Sequence, residues 1–295
     1  MEKINKEVIK NLNNKNINLY NIFGKWVDNT DNLREQFLKA KPFPYIIIDN
    51  FLNDNYVELI SKNYPVDFEN WHKYYNPLEV KYAKDNINDM AKPIKNLFYI
   101  LSTNNIINKF SKISNITNLE YDPYLHGAGL HAQPRYGRLN MHLDYEKHPK
   151  LNKERRLNII LFLNKTWKKE WNGDNQLWDI SMVNCIVKTF PKFNRAIIFQ
   201  TNEISWHGVP NKILCPENIY RKSLAYYYIS PLLNQKTNYK FGDNGSGYRT
   251  KAAFIKRPCD PYSLRMQKLY DIRPHRRIVK ADIDEIWPDW TATKY

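Results

Sequence analysis

At 295 residues, 42% hydrophobic and 14% aromatic, the chain is long enough for one large packed domain with a smaller appendage and too apolar to be disordered over most of its length. Three cysteines (Cys185, Cys215, Cys259), an odd number with no CxxC, argue against a disulfide framework or a zinc cluster and point to a reducing, cytoplasmic compartment. The net charge of +15 would suit a polyanionic partner, but Lys, Asn and Ile are over-used everywhere and no arginine-rich run or aromatic-plus-basic ladder stands out, so nucleic acid is not an expected partner.

In chain order, the polar N-terminus MEKINKEVIKNLNNKN lacks the apolar core of a signal peptide, and no run approaches the roughly 20 apolar residues of a membrane span, so no membrane partner is expected. Residues 1–40 read as a helical lead-in, with a better helix from Asp31 to Ala40, capped by Asp31 and striped by Leu33, Phe37 and Leu38. Tyr45 to Ile48 is a short buried strand, and Asp54 opens a helix through about Tyr64. Residues 66–86 are rich in aromatics without clear period. A helix is predicted from Ile87 to Asn104, with Met90, Ile94, Leu97, Phe98 and Leu101 on one face. From about Leu119 the pattern becomes short strands between turn residues, clearest at 137–145, 157–163, 185–190, 195–200 and 222–229, the signature of a β-sandwich or jelly roll. After Pro231 the chain is polar and irregular to Gly247, then basic with a short helix near Ser263 to Tyr270. Residues 41–231 are thus expected as one β domain, with 232–295 a basic extension packed on it. That extension either wraps the barrel or covers its mouth.

The chemistry concentrates between Tyr136 and Asn164. Gly137, Leu139, Met141 and Leu143 alternate with Arg138, Asn140, His142 and Asp144, so one strand face is apolar and the other polar. His142 and Asp144 then point the same way and can grip one metal ion; a third ligand would complete the 2-His-1-carboxylate facial triad of non-haem Fe(II) oxygenases. His-x-Asp alone is too common to carry that assignment. Ser205-Trp206-His207-Gly208 offers His207 just after the strand 196–200. Further on, Arg221 and Ser223 share parity with Ala225 and Tyr227, facing one interior. A guanidinium buried there demands an anionic partner, and a dicarboxylate cosubstrate would suit its planar fork.

The segments PFPYIIIDNFL, MHLDYEKHP, RRLNIILFLNKTW, FNRAIIFQTNEISWHGVP and RKSLAYYYIS, in this order over residues 42–230, resemble the Fe(II)/2-oxoglutarate-dependent oxygenases of the prolyl-4-hydroxylase-like branch. The resemblance implies a mainly β double-stranded β-helix (jelly roll) with flanking helices, an Fe(II) ion on His142, Asp144 and His207, and 2-oxoglutarate held by Arg221 with Ser223. It also implies use of dioxygen, with succinate and CO2 as co-products of C–H hydroxylation. By parity Asn158 is a further contact to the cosubstrate, with Tyr136 and Arg138 weaker ones. Two departures stand out. Arg221 occupies the place of a lysine in collagen-type prolyl hydroxylases, and Trp171-Asn172-Gly173-Asp174-Asn175-Gln176-Leu177 replaces the family's Trp-Gly-Gly-Glu-Leu.

The favoured substrate is a prolyl or lysyl residue in a peptide; the alternatives are a small molecule or glycan sugar, or a jelly-roll binding module without turnover. His148 is read as a loop residue off the metal, His126 and His131 as structural residues near the entrance, and His72 and His275 as having no assigned part. Residues 231–295 hold 7 Lys and 6 Arg against 6 Asp and 1 Glu, net +6, so an acidic substrate would be steered by that segment if it lies at the mouth. Tyr239, Phe241, Tyr248 and Phe254 suit either that reading or one in which the segment simply packs on the barrel's flank with its lysines in solvent.

Overall fold

A computed structural model describes residues 3–232 and 247–294. Among them the helices are α1 (Lys6–Asn13), α2 (Thr30–Lys39), α3 (Asp54–Lys62), α4 (Lys92–Leu101), α5 (Asn104–Ser114), α6 (Leu264–Ile272) and α7 (Lys280–Ile286). The strands are β1 (Tyr45–Ile48), β2 (His72–Asn76), β3 (Glu79–Lys84), β4 (Glu120–Tyr121), β5 (Gly129–Gln133), β6 (Arg138–Leu143), β7 (Lys153–Phe162), β8 (Asn175–Trp178), β9 (Cys185–Thr189), β10 (Ala196–Gln200), β11 (His207–Val209), β12 (Arg221–Pro231) and β13 (Ala253–Phe254). None of the described helices is long and apolar enough to cross a membrane.

All the strand pairings are antiparallel, and the order β1-β10-β7-β12-β5-β3-β6-β11-β8-β9 resolves into two sheets. One is β10-β7-β12-β5 with β1 at its edge; the other is β6-β11-β8-β9. Between them β3 pairs with β5 through Tyr82–Lys84 and with β6 through Glu79 and Val80, nearly closing a barrel. This is the double-stranded β-helix that the resemblance implied, and one of the two β architectures, sandwich or jelly roll, that the short strands suggested.

Alternation along β7 and β12 separates two environments. Leu157, Ile159 and Leu161, with Leu224, Tyr226 and Tyr228, pack outward in one core cluster with Trp26, Phe37, Leu97, Phe98 and Phe110 of the helical layer. Burying each such side chain is worth about 1.5–3 kcal/mol. The tyrosines also satisfy their hydroxyls there: Tyr228 donates to the Leu101 carbonyl (2.8 Å), and Tyr226 meets the Ser102 hydroxyl (2.6 Å). The opposite row pairs Tyr227 with Asn158, Ala225 with Ile160 and Ser223 with Phe162, and faces the second sheet.

Several predicted boundaries shift for local reasons. The expected single helix from Ile87 to Asn104 is a short turn at Ile87–Asp89 followed by α4 and α5. The break comes at Ser102 and Thr103, whose hydroxyls donate back to the Phe98 and Ile100 carbonyls and so compete with the helical ladder. Asp31 lies inside the first turn of α2, after Asn29 at the cap, and Leu38 is exposed while Leu33 and Phe37 are buried. The aromatic stretch 66–86 holds the hairpin β2–β3. In the C-terminal extension, α6 forms as expected after its Ser263 cap, α7 was not anticipated, and β13 joins the sheet beside β6 at Leu143 and His142. The irregular stretch expected before Gly247, with Tyr239 and Phe241, lies outside the described residues.

Candidate functional site

His142 and His207 sit directly opposite each other on β6 and β11, with ring centroids 4.3 Å apart. Asp144 follows the end of β6; its carboxylate oxygens lie 3.7 Å from Nε2 of His142 and 3.7 Å from Nε2 of His207. One donor atom from each residue falls within 4.8 Å of the others, so the three could hold a metal ion. Backbone carbonyls set the tautomers. Nδ1 of His142 lies 2.9 Å from the Asn140 carbonyl and Nδ1 of His207 lies 2.8 Å from that of Ser205. A carbonyl only accepts, so each Nδ1 carries the proton and each Nε2 keeps its lone pair toward the shared centre. Phe254 stacks on His142 (5.0 Å, 18°) and Phe199 tilts against His207 (4.6 Å), limiting ring rotation.

Electrostatics favours ligation. Burial, followed by the neighbouring His142, lowers the His207 imidazole to about 4, so it is neutral at pH 7. Burial pushes the Asp144 carboxyl up, but the Arg155 guanidinium, His207 and His142 outweigh it and hold the group well below the usual carboxylate range. Arg155 lies with NH1 3.1 Å from Asp144 Oδ2, its guanidinium between the rings of Tyr145 (3.8 Å) and Tyr227 (3.5 Å).

A second polar group shares the cavity of about 410 Å³ that opens over these residues. Arg221, 3% exposed, donates through Nε to the Gly173 carbonyl (2.6 Å) and through NH1 to Gln133 Oε1 (3.0 Å). Its other terminal nitrogen, Nε2 of Gln133 and Oδ1 of Asn158 are buried with no hydrogen-bond partner among the described residues. No carboxylate among those residues lies within 4 Å of the guanidinium, and burial lowers its pKa to about 10. Buried polar groups left this way need a partner, and an anion with several oxygens fits the two donors, the Arg221 guanidinium and Nε2 of Gln133. Ser223 and Asn158 line the same cavity, and Asn158 Nδ2 lies 3.5 Å from Asp144. The altered Trp171–Leu177 loop keeps its one essential glycine: Gly173 has φ +89°, and a Cβ there would sit 3.1 Å from Arg221 Cδ and 3.2 Å from Trp167.

The six predicted residues His142, Asp144, His207, Arg221, Ser223 and Asn158 therefore line one cavity. Tyr136 and Arg138 do not. His207 pairs with His142 but Val209 pairs with Leu139, so β6 carries a bulge and its alternation slips. Leu139 takes the cavity face, while Arg138 donates to the Ala292 carbonyl (3.1 Å) and Asn140 to the Tyr270 hydroxyl (3.1 Å), both in the extension. Met141 joins Trp178 and Trp206 instead. Gly208 allows this close approach: a Cβ would fall 2.7 Å from the Leu139 carbonyl oxygen.

His148 is buried against Asp122 (3.2 Å), away from the three donors. His126 and His131 line the cavity, as does His72 at its exposed edge; His275 is exposed outside it. Burial lowers His126 to about 4 and His131 to about 3, so both are neutral at pH 7. Sequence reasoning missed Arg155 and Gln133. A second bulge hides Arg155: Leu157 pairs with Tyr228 but Arg155 with Ile229, leaving Arg156 extra and turning Arg155 inward. Gln133 was findable in principle, as it pairs with Arg221 across β5 and β12.

Comparison with known proteins gives a family match over part of the chain. Residues 130–229 match the model of the 2OG-Fe(II) oxygenase superfamily. No curated protein matches. A prolyl-4-hydroxylase from Pseudomonas putida has a similar fold (TM-score 0.50, 13% identity, covering 66% of this chain and 97% of that one). Lower-scoring likenesses include a Trichoplax adhaerens prolyl hydroxylase in complex with a hypoxia inducible factor peptide fragment (0.49, 15%, 70% and 94%). Another is HygX from Streptomyces hygroscopicus with nickel, 2-oxoglutarate and hygromycin B bound (0.44, 12%, 67% and 87%).

Proposed function

We propose that the chain, whose residues 130–229 match the 2OG-Fe(II) oxygenase superfamily, is a 2-oxoglutarate-dependent dioxygenase using Fe(II) and O2 that hydroxylates an unactivated C–H bond of a prolyl or lysyl residue in a peptide. In this reading Nε2 of His142, Nε2 of His207 and the Asp144 carboxylate hold the iron. Arg221, with Gln133, Ser223 and Asn158, holds 2-oxoglutarate. Once bound, iron with its cosubstrate supplies the oxidation, coupling loss of CO2 from 2-oxoglutarate, with formation of succinate, to insertion of one oxygen atom into the substrate C–H bond.

The chain's own contribution is placement. With only three protein ligands, His142, Asp144 and His207 would leave the rest of a bound iron's coordination open to cosubstrate and oxidant. The carbonyl-locked imidazoles and the Arg155-held carboxylate cost little reorganisation when the metal arrives. Leu139, Ile160, Val209 and Ala225 give the cavity apolar walls that limit water near the reacting carbon. The prolyl and lysyl preference rests on the resemblance over residues 42–230 together with the Pseudomonas putida fold match.

The observation that carries the reading is Arg221: a buried guanidinium without a carboxylate partner among the described residues, opening into the cavity that holds the His-Asp-His donors. Breaking a buried charge pair on one side costs about 3–5 kcal/mol, so Arg221→Ala should weaken 2-oxoglutarate binding a hundredfold or more on that order. Arg221→Lys should recover part, since a point charge replaces a fork. Titration of 2-oxoglutarate into the Mn(II)-substituted protein measures this, and unchanged affinity in Arg221→Ala refutes it. Succinate release screened over peptides, amino acids and sugars identifies the substrate and separates an enzyme from a binding module.

A further inference from the structure

The C-terminal extension does more than pack on the barrel. Lys251, Phe254, Arg273 and Arg277 line the same cavity as the three donors, although all four lie beyond the family match at 130–229. Phe254 is the link: it stacks on His142 at 5.0 Å, and the Arg273 guanidinium lies 5.1 Å from the Phe254 ring. Arg273 therefore stands one aromatic ring away from the centre.

The charges here are unbalanced. Arg273 is 8% exposed, yet its Nε has no hydrogen-bond partner among the described residues. Its nearest carboxylate oxygen, on Glu79, is 3.8 Å away, too far for a hydrogen bond, and Glu79 also faces Lys81 at 3.5 Å. One carboxylate thus serves two cations. Arg277 is exposed at the mouth, over the Tyr74 ring at 6.0 Å, with no carboxylate within 4 Å among the described residues. The other acid lining the mouth, Asp85, is paired with Lys3. The cosubstrate's negative charge does not resolve this, since Arg221 stands apart on β12 with Gly173 and Gln133 around it.

We propose that the extension is an anion-recognition wall, in which Arg273 and Arg277 select a peptide bearing a carboxylate side chain next to the hydroxylated residue. This rests on the peptide reading above. A half-satisfied buried guanidinium gains a charge-assisted partner when such a side chain enters, whereas a neutral or basic residue leaves it unpaired.

The test uses the full chain with Mn(II) and 2-oxoglutarate and three fluorescent prolyl peptides that differ only in a flanking Glu, Gln or Lys. Fluorescence anisotropy should give the Glu peptide at least about tenfold tighter binding than the Gln peptide, a ratio equivalent to about 1.4 kcal/mol, with the Lys peptide weakest. Arg273→Gln with Arg277→Gln should erase the preference, Arg273→Lys should retain part of it, and retained 2-oxoglutarate binding shows that each variant is folded. Equal affinity for the Glu and Gln peptides, failure of all three to bind, or a preference that survives the double substitution overturns the proposal. Arginine-dependent binding of the Glu peptide, without succinate release when the same peptide is given to the Fe(II)-loaded protein in air, leaves the wall standing and removes the prolyl target.

Discussion

Arg155 offers the sharpest test of how the centre is poised. Arg155→Met keeps an apolar stem between Tyr145 and Tyr227 and removes the charge 3.1 Å from Asp144. Coulomb's law at that distance, with an effective dielectric of roughly 20, gives about 5 kcal/mol. Rehydration recovers part, so the metal-free protein should lose about 3–5 kcal/mol, the usual cost of orphaning a buried charge, or roughly 6–15 °C in Tm. A divalent ion on Asp144 supplies the missing positive charge, so the loaded protein should lose much less. The readout is the Tm gain on adding Mn(II), measured by calorimetry in both proteins; ligand linkage predicts a larger gain in Arg155→Met. Equal destabilisation with and without Mn(II) would mean that Arg155 acts by packing alone, and the electrostatic account of Asp144 would fail.

Three further outcomes follow from the same geometry. Gly173→Ala, forced to φ +89° and crowded against Arg221 Cδ, should cost about 1–3 kcal/mol in thermal unfolding and weaken 2-oxoglutarate binding; unaltered affinity would separate the loop from the anion site. Tyr226→Phe should cost about 1 kcal/mol by denaturant titration, since Ser102 keeps its bond to Phe98, and should leave 2-oxoglutarate affinity alone because Tyr226 faces the helices. Asp49 accepts two hydrogen bonds from Arg195 (2.6 and 2.9 Å), which hold its carboxyl at about 2, so its stabilising effect is complete above pH 4 and fades as pH falls toward 2. Asp49→Asn should therefore be less stable than the parent at pH 7 and converge on it in acid; a pH-independent gap would assign the effect to something other than charge.

Much of the centre was legible because strand parity is a strict rule wherever one face is buried. The row Arg221, Ser223, Ala225, Tyr227 faces the cavity as alternation requires, and Asn158 and Phe162 of β7 lie opposite it. His207 needed only the Gly208 that lets β11 approach β6. The hairpin β2–β3 was not legible: neither Tyr74 and Tyr75 of the outer strand β2 nor Tyr82 of β3 belongs to an alternating apolar face, so its pairing depends on contacts distant in sequence. The same holds for β13, two residues long, whose place beside His142 is fixed by β6.

Where parity failed, it failed at the two bulges, and both failures concern arginines. On β6 the slip between His142 and Leu139 moved Arg138 from the cavity to the extension. On β7 the extra Arg156 moved Arg155 the other way, onto Asp144. A bulge has no residue-type signature in either segment; it is visible only as a mismatch between partners across the ladder. The two slips have complementary consequences. One delivers a cation to the carboxylate of the centre, and the other turns Asn140 outward to Tyr270 while its carbonyl still meets Nδ1 of His142. The bulge on β6 therefore ties the imidazole's tautomer and the docking of α6 to one residue. Asn140→Ala, which keeps the carbonyl and deletes the bond to Tyr270, separates the two: α6 should loosen, seen as faster hydrogen exchange across Leu264–Ile272, while Mn(II) affinity should hold. Loss of Mn(II) affinity in that variant would show that the carbonyl's position depends on the extension.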